Sequence, residues 1–462
     1  MKRVVPMTVA LAVLAFAATA SSQSKAPSLI VRGGLGHLVM PGDRAIVRYS
    51  VYSGSKAVRG SLYVRNDLQK SFTRLPLTRV NNYQVRVPNR LIRGRRLVYY
   101  AAIRDPRSRR ALRLPAHGVA TTWILEKPAV VKLGAHQFGK TKAPEAVVAR
   151  ASADQVGIEP PTPGQLPGFG PQTFLVGKDG SIWLHDSLNS RLLIWEAGHP
   201  DTIARTVKFP FVAYDNDVAF GPNGSIYVTR VLKNPPKKDR LVLDRLDPSG
   251  AVIWQRPLGG EYFGESTFVL GANSPLRIGS DGTLYILAFM GLPGDEWAWM
   301  PAATPAGKAI EPSAQRTRTN WPFQPVGALR LIGGEAYTPH DDMAPHDLRY
   351  ALVDRHDRVV RSWRILSKTE INFHLTVPEV TGGDPVVVLD FVDDPGGKNT
   401  WEYEVLRLGR HGTTQFSLTH STFGDDVLPD VRVGPDGKLY QLATSVQNGI
   451  VITRYALGSG GT

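Results

Sequence analysis

One short pattern occurs four times in this chain of 462 residues, and its geometry restricts the fold. Each copy ends an apolar strand, continues with Gly, one variable residue, Asp or Asn and a second Gly, and then starts a strand that carries an aromatic residue. The copies span residues 176–183, 220–227, 278–285 and 433–440. Asp-Gly and Asn-Gly tolerate the positive φ that a two-residue hairpin turn requires. A hairpin signal that recurs along one chain indicates a repeat architecture.

The intervals between the copies predict the number of repeats. The turn glycines Gly180, Gly224, Gly282 and Gly437 are separated by 44, 58 and 155 residues. The last interval is about three periods of ~50 residues, which is the period of propeller blades. Two degenerate copies lie in this gap, at residues 331–337 and 380–388. The chain is therefore predicted to contain six units.

Further strand-like segments follow the hairpins, for example residues 241–246 and 251–255 in the second unit. Four short antiparallel strands per unit make one propeller blade. The sixth unit ends after three strands, and a ring must close to remove its open edges. We therefore predict that residues 147–152 supply the missing outer strand. The predicted fold class is all-β, with an N-terminal β-sandwich followed by a six-bladed β-propeller that an N-terminal outer strand closes.

Residues 178–186, followed by Asn189, Arg191 and an apolar strand to Trp195, are similar to the NHL repeat. Through these residues the chain resembles six-bladed propellers of the NHL-repeat and gluconolactonase (senescence-marker-like) type. The resemblance covers roughly residues 145–458. It is informative about architecture, since many functions share this fold.

In lactonases of this group a Glu, an Asn and an Asp at the inner ends of blade strands bind a divalent cation, which activates water. The resemblance thus implies calcium as a cofactor, and it implies a channel site formed by Gln172, Asn216, Asp217, His374 and Asp430. Only Asn216 matches the family pattern, because Gln172 replaces the Glu and Asp430 is displaced by one position. Losing a carboxylate weakens a site for a hard cation. The alternative is that these polar residues hydrogen-bond the strand ends.

The N-terminal region predicts export. Lys2 and Arg3 precede an apolar run at residues 9–16 and small residues at 18–20, which is the pattern of a signal peptide at residues 1–27. We expect a secreted or extracytoplasmic protein of the cell envelope with no transmembrane span, because no later stretch is long and apolar enough. The chain has no Cys, which excludes disulfides and thiolate nucleophiles.

Residues 28–125 lack the repeat and are predicted to form an immunoglobulin- or fibronectin-like sandwich. Alternating strands occur at residues 45–51, 60–64, 83–87 and 97–103. A linker is expected at residues 126–144, and the propeller at residues 145–458.

The positive charge is concentrated in the sandwich region. Residues 28–125 contain 17 Arg, 2 Lys and 3 acidic residues, whereas residues 126–462 contain 33 basic and 37 acidic residues. Arg is well suited to bidentate recognition of phosphate and carboxylate. The candidate residues for an anionic surface, polymer or lipid, are Arg93, Arg95, Arg96, Arg104, Arg107, Arg109 and Arg110. The alternative is a solvated surface without a partner. Nucleic acid is not expected, because no nucleic-acid-binding module is recognisable.

Three tryptophans lie in a lengthened segment between the third and fourth units. Trp297, Trp299 and Trp321 are candidates for stacking on a ligand. The alternative is that they pack between blades, as large aromatic residues usually do.

These patterns predict an exported binding or scaffold protein. Its propeller face would recognise a protein or carbohydrate ligand, and its basic sandwich would associate with anionic envelope material. The alternative is an extracytoplasmic, metal-dependent hydrolase of the lactonase type. No nucleophile elbow, phosphate-binding loop or His-Glu-x-x-His motif assigns a catalytic residue.

Overall fold

The protein was analysed as a computed structural model. It describes residues 30–35, 38–52, 59–80, 82–104, 111–115, 118–160, 169–211, 217–222, 224–232, 240–257, 275–279, 281–290, 296–310, 323–326, 329–336, 346–377, 383–393, 400–410, 412–420 and 430–458. The predicted signal peptide lies outside these ranges. Within them the fold is all-β, as predicted, with one three-residue 3₁₀ helix, η1 (Asn89–Leu91). No helix in these ranges is long and apolar enough to span a bilayer.

The N-terminal region forms two sheets around one core. Sheet A contains β1 (Ile30–Gly34), β3 (Ile46–Tyr52), β7 (Asn82–Arg86) and β6 (Thr78–Val80), in that order. Sheet B contains β2 (Leu38–Val39), β10 (Ala120–Ile124), β8 (Arg96–Arg104), β4 (Arg59–Asn66) and β5 (Thr73–Pro76), and β9 (Ala111–Leu114) pairs with β8. Alternate residues of β4 and β8, such as Leu62, Val64 and Leu97, are buried in the shared core. This alternation is the period-two pattern that the sequence displays.

Six more sheets follow in chain order within the described residues. Sheet 1 has β13 (Thr173–Val176), β14 (Ile182–Asp186), β15 (Arg191–Trp195) and β16 (Arg205–Lys208), and sheet 2 has β17 (Val218–Phe220), β18 (Ile226–Leu232), β19 (Arg240–Leu246) and β20 (Val252–Pro257). Sheet 3 has β21 (Leu276–Ile278), β22 (Leu284–Met290) and β23 (Glu296–Ala303), and sheet 4 has β24 (Phe323–Val326), β25 (Leu329–Ala336), β26 (Asp347–Val353) and β27 (Val359–Leu366). Sheet 5 has β28 (Phe373–Val377), β29 (Val386–Asp393), β30 (Thr400–Leu408) and β31 (Thr413–Thr419). Sheet 6 has β32 (Val431–Val433), β33 (Leu439–Ser445), β34 (Gly449–Tyr455) and the earlier strand β12 (Ala146–Ala151).

The fourth strand of sheet 6 comes from upstream, where the sequence predicted it. Strand β12 pairs antiparallel with β34, with Val147 opposite Thr453 and Ala151 opposite Ile450. A single sheet therefore joins two segments that are about 300 residues apart in the chain.

The four repeated turns share one geometry, which differs from the two-residue turn expected from the sequence. The backbone N–H of Gly177 donates to Ser181 O at 2.7 Å, and that of Gly180 donates to Gly177 O at 3.0 Å. Gly180 has a φ of 81°. These contacts define a three-residue loop that ends in a left-handed Gly, the second most common hairpin connection. The same bonds recur at Gly224, Gly282 and Gly437.

The prediction of a hairpin turn in the degenerate copy at residues 331–337 was wrong. Gly333 lies inside β25, with a φ of 122° and a shift in strand register between Gly333 and Ala336. A Cβ at Gly333 would lie 2.0 Å from Arg349 O. Glycine is therefore required by a bulge and by a close backbone approach, whereas the hairpin of sheet 4 turns between Val326 and Leu329.

Buried clusters connect consecutive sheets. Sheets 6 and 1 share a cluster that contains Ile452 and Trp195, sheets 1 and 2 share one with Leu192 and Val218, and sheets 2 and 3 share one with Leu243 and Ile286. Sheets 4 and 5 share a cluster that contains Leu352 and Leu389, and sheets 5 and 6 share one with Val388 and Leu439. Among the described residues, these clusters link sheets 4, 5, 6, 1, 2 and 3 in a continuous series, and no cluster joins sheet 3 to sheet 4.

The region expected as a linker lies along the outer strands of sheets 4 and 5. Strand β11 (Ala129–Lys132) pairs parallel with β27, and Thr141 forms a bridge with Ser417 of β31. We call residues 129–142 the strap. Its central residue is His136, whose side chain is 3% exposed.

The His136 ring is held between two buried glutamates. Its Nε2 lies 2.9 Å from Glu402 Oε2, and its Nδ1 lies 3.2 Å from Glu404 Oε2. The ring stacks on Phe391 at a centroid distance of 4.5 Å. Burial acts to lower the pKa of His136, but hydrogen bonds and charge from Glu404 and Glu402 outweigh it and raise that pKa.

The sandwich is docked on sheet 4 by a small apolar cluster and a buried ion pair. Trp123 is fully buried beside Val353, and its Nε1 donates to Asp357 O at 3.1 Å. The Arg349 guanidinium, 2% exposed, donates through both Nη atoms to the carboxylate of Asp43. These contacts fix the orientation of the sandwich relative to sheet 4.

Candidate functional site

Asp217 connects the edge strands of several sheets. It precedes β17 of sheet 2 and is fully buried. Its Oδ1 accepts from Thr173 Oγ1 of sheet 1 at 2.8 Å and from Arg432 Nη2 of sheet 6 at 2.5 Å. Its Oδ2 accepts from the backbone N–H of Leu276 in sheet 3 at 2.8 Å. One carboxylate thus connects strands from four of the six sheets.

These contacts do not fit a calcium site. Besides the groups above, Oδ1 accepts the backbone N–H of Val218 at 2.9 Å, and Arg277 Nη1 lies 3.7 Å from Oδ2. A carboxylate that already balances Arg432 and faces Arg277 has little negative charge left for a hard cation. Among the described residues, no group of three or more His, Asp or Glu is arranged to hold a metal.

Among the other proposed channel residues, the structure describes the side chains of Gln172 and Asp430. Gln172 immediately precedes β13, and its Oε1 is buried without a hydrogen-bond partner among the residues that the structure describes. Asp430 precedes β32 and accepts from Tyr403 Oη at 3.1 and 3.2 Å. His374 lies in β28, where the structure describes only the backbone, and Asn216 lies outside the described residues.

The NHL-like motif of sheet 1 has a structural role. Asp186 is fully buried and accepts from Asn189 Nδ2 at 2.9 Å and from Arg191 Nε at 2.8 Å. It also accepts from the backbone N–H of Gly157 at 2.9 Å. The motif therefore binds the segment that follows β12 to sheet 1.

Of the three tryptophans proposed for stacking, Trp299 has a described side chain. Trp297 and Trp299 both lie in β23, so the lengthened segment contributes a strand of sheet 3. Trp299 is 5% exposed, and the Arg277 guanidinium lies 5.7 Å from its ring centroid. Trp321 lies outside the described residues.

The arginine candidates fall into three groups. Arg93 and Arg95 are exposed on the turn before β8, and Arg104 is exposed at the end of that strand. Arg96 is half-buried, and its Nη1 lies 3.7 Å from Asp357 Oδ2 at the junction with sheet 4. The remaining candidates lie outside the described residues: Arg107, Arg109 and Arg110.

Arg93 and Arg95 line an open cleft of about 760 Å³ in the sandwich. Three segments form its main walls, namely the turn after β4, helix η1 and the turn before β8, and Pro41, Gly42 and Glu126 complete the lining. Among its lining residues, sequence reasoning proposed only Arg93 and Arg95 and missed the others, including Arg90 of η1 and Leu68 of the first turn. Arg90 belongs to the same basic stretch as Arg93, but no local signal singles out Leu68, which is 74% exposed.

Hydrogen bonds hold the three walls of the cleft together. Asp67 Oδ1 accepts the backbone N–H of Arg95 at 3.0 Å, and Asn66 Nδ2 donates to Leu91 O at 3.2 Å. Gly94 has a φ of 81°, and a Cβ there would lie 2.2 Å from Asp67 Oδ1. The cleft is therefore formed by the sandwich itself before any ligand binds.

Comparisons with protein-family models and with curated proteins found no match to this chain.

Proposed function

We propose that this protein binds an anionic polymer through its basic sandwich, and that its six later sheets close into a propeller that carries the sandwich in a fixed orientation. Three features support the ring: the apolar clusters between consecutive sheets, the four-sheet contacts of Asp217, and the pairing of β12 with β34. A ring arrangement would protect strands that an open stack leaves at its ends.

The observation that carries the binding proposal is the excess of positive charge in the sandwich, which contains 17 Arg and 2 Lys but only three acidic residues. Of its three acidic residues, Asp43 is neutralised by Arg349 of sheet 4, and Asp67 accepts a backbone N–H inside the cleft. The third, Asp105, lies outside the described residues. The exposed arginines in the described part of the sandwich are Arg44, Arg48, Arg59, Arg74, Arg86, Arg90, Arg93, Arg95 and Arg104.

In sheets 1 to 6, several arginines form ion pairs with carboxylates. Arg191 is paired with Asp186, Arg361 with Asp384, and Arg407 with the same Asp384. In the sandwich the basic residues far outnumber the acidic ones, so the excess of positive charge is a local feature. Their summed field would attract a polyanion.

The test is retention of the mature chain on polygalacturonate-coated resin, with uncharged dextran resin as the reference. We expect retention at about 0.1 M salt, where the Debye length is ~10 Å, and release at about 1 M, where it is ~3 Å. Replacing Arg59, Arg74 and Arg86 by Gln should lower the salt concentration of elution.

A matched variant controls for net charge. Lys308, Lys368 and Arg410 are exposed cations outside the sandwich, and their replacement by Gln removes the same charge. This variant should elute close to the unmodified protein. Equal losses in both variants, or retention that salt does not weaken, would overturn the proposal.

A further inference from the structure

We infer that the cleft in the sandwich is a specific site for an acidic oligosaccharide, which deepens and rests on the proposed function. The cleft combines three kinds of groups that such a ligand requires: unpaired guanidinium groups, an apolar floor and neutral or acidic hydrogen-bonding groups at the rim. Its volume of about 760 Å³ falls within the ~300–1,000 Å³ of typical small-molecule sites.

The guanidinium groups supply the recognition of negative charge. Arg90, Arg93 and Arg95 all line the cleft and are exposed. Within the described residues, none of the three forms an ion pair. A guanidinium can donate two parallel hydrogen bonds to one carboxylate or phosphate, so an acidic group in the cleft would gain charge-assisted bonds without breaking existing ones.

The apolar lining favours a ligand with carbon faces over a bare anion. Leu68 projects into solvent at one side with 74% of its surface exposed, and Pro41 lies at another side. Ile92 is fully buried and forms part of the floor. An inorganic ion could not cover this surface, whereas the C–H faces of a sugar ring could, at a gain of roughly 25 cal/mol per Å² of apolar surface buried.

The remaining polar side chains of the cleft are suited to hydrogen-bond the hydroxyl groups of a ligand. Asn89, with its amide, and Glu126, with its carboxylate, also line the cleft, and both are exposed. A carboxylate beside three arginines would repel a purely polyanionic ligand, but it can accept a hydrogen bond from a hydroxyl group. The mixed signs of charge therefore point to a ligand that carries both acidic and hydroxyl groups, which is the chemistry of an acidic oligosaccharide.

The cleft is also preorganised, since Asp67 and Asn66 already link its three walls. A ligand would not have to pay for ordering the loops, which raises affinity for a given set of contacts.

The test is calorimetric titration of the full mature chain with trigalacturonic acid and with its uncharged methyl ester. We expect the acid to bind and the ester to bind at least tenfold more weakly. The double variant Arg93→Gln/Arg95→Gln should weaken binding of the acid at least tenfold, and Leu68→Ser should weaken it severalfold. Because all three side chains are exposed, thermal melting should be unchanged, which checks that the variants are folded.

The control is Lys308→Gln/Lys368→Gln, which removes the same charge from exposed positions outside the sandwich that do not line the cleft. It should change affinity for the trimer less than twofold. Equal effects of the two double variants, or equal binding of acid and ester, would overturn the cleft assignment while leaving polymer retention intact. Loss of polymer retention itself would instead refute the proposed function.

Discussion

Arg432 Nη2 donates to Asp217 Oδ1 at 2.5 Å, although the two residues are 215 positions apart. Arg432 belongs to strand β32 of sheet 6, and Asp217 immediately precedes strand β17 of sheet 2. Both are largely buried, with 12% and 0% of their side chains exposed. This contact brings the late part of the chain against its early sheets, and the first prediction tests its importance.

Replacing Asp217 by Asn should destabilise the protein by about 3 kcal/mol, because removing one partner of a buried ion pair leaves the other charge uncompensated. The measurement is urea unfolding followed by tryptophan fluorescence. Asp201→Asn is the control, since Asp201 pairs with Arg150 at the surface with 67% of its side chain exposed. It should cost less than about 1 kcal/mol. Similar losses of stability in both variants would mean that the contacts of Asp217 with β13, β21 and β32 do not stabilise the fold.

Replacing Arg349 by Met should loosen the sandwich from sheet 4. The variant leaves the carboxylate of Asp43 without its guanidinium partner in a mostly buried junction. We expect faster hydrogen exchange at residues 38–40 and 120–125, together with a loss of about 3 kcal/mol.

The control for that junction is Arg358→Met. Arg358 pairs with Asp354 within one turn and is 60% exposed. We therefore expect this variant to lose less than about 1 kcal/mol of stability and to leave hydrogen exchange in the sandwich unchanged. Unchanged exchange in the Arg349 variant as well would show that the apolar cluster alone holds the two parts together.

The strap should make stability depend on pH. Both nitrogens of His136 face glutamate oxygens, so the protonated ring satisfies both acceptors. Since the pKa of His136 is raised in the folded protein, this contribution is fully present below its ordinary value of 6.5 and is lost as pH rises through the higher folded value. We expect the melting temperature to fall as pH increases above about 6.5.

The variant His136→Gln is the matched test of this pH dependence. It keeps hydrogen-bonding capacity but cannot titrate, so it should be less stable than the unmodified protein at low pH, and the difference should shrink at higher pH. An equal difference at every pH would show that protonation of His136 does not contribute.

Gly449 should be unusually sensitive to substitution. It has a φ of 78°, and a Cβ there would lie 2.0 Å from Ala151 O, at the junction of β12 and β34. Gly198 has a φ of 83° with nothing within 4 Å of its Cβ position. Gly198→Ala should lower the free energy of unfolding by about 1–2 kcal/mol, which is the conformational strain alone. Gly449→Ala should lower it clearly more, as measured by urea unfolding. Equal costs would mean that β12 can move away without penalty.

Sequence reasoning located the elements that obey local rules. The turn at Gly180 was recognisable because only a few residue types adopt positive φ, and the pairing of β12 with β34 followed from the need to cover an open strand edge. The position of Gly333 was misread, because a bulge and a turn both select glycine.

Contacts between distant residues were not predictable in the same way. The partners of Asp217 lie in strands that precede it by 44 positions or follow it by up to 215, and no local pattern links them. Similarly, nothing in the sequence around His136 indicates that two glutamates of β30 enclose its ring. The cleft of the sandwich depends on three loops, of which only the basic one was conspicuous in the sequence.

The pairing of β12 with β34 also has a consequence for biosynthesis. A ribosome releases residues 146–151 long before it makes residues 449–455, so β12 must wait without its partner while five sheets are being translated. During that interval its unsatisfied backbone would be open to chaperones or to premature aggregation. A chain that terminates before β34 therefore cannot pair β12 and cannot complete the last sheet.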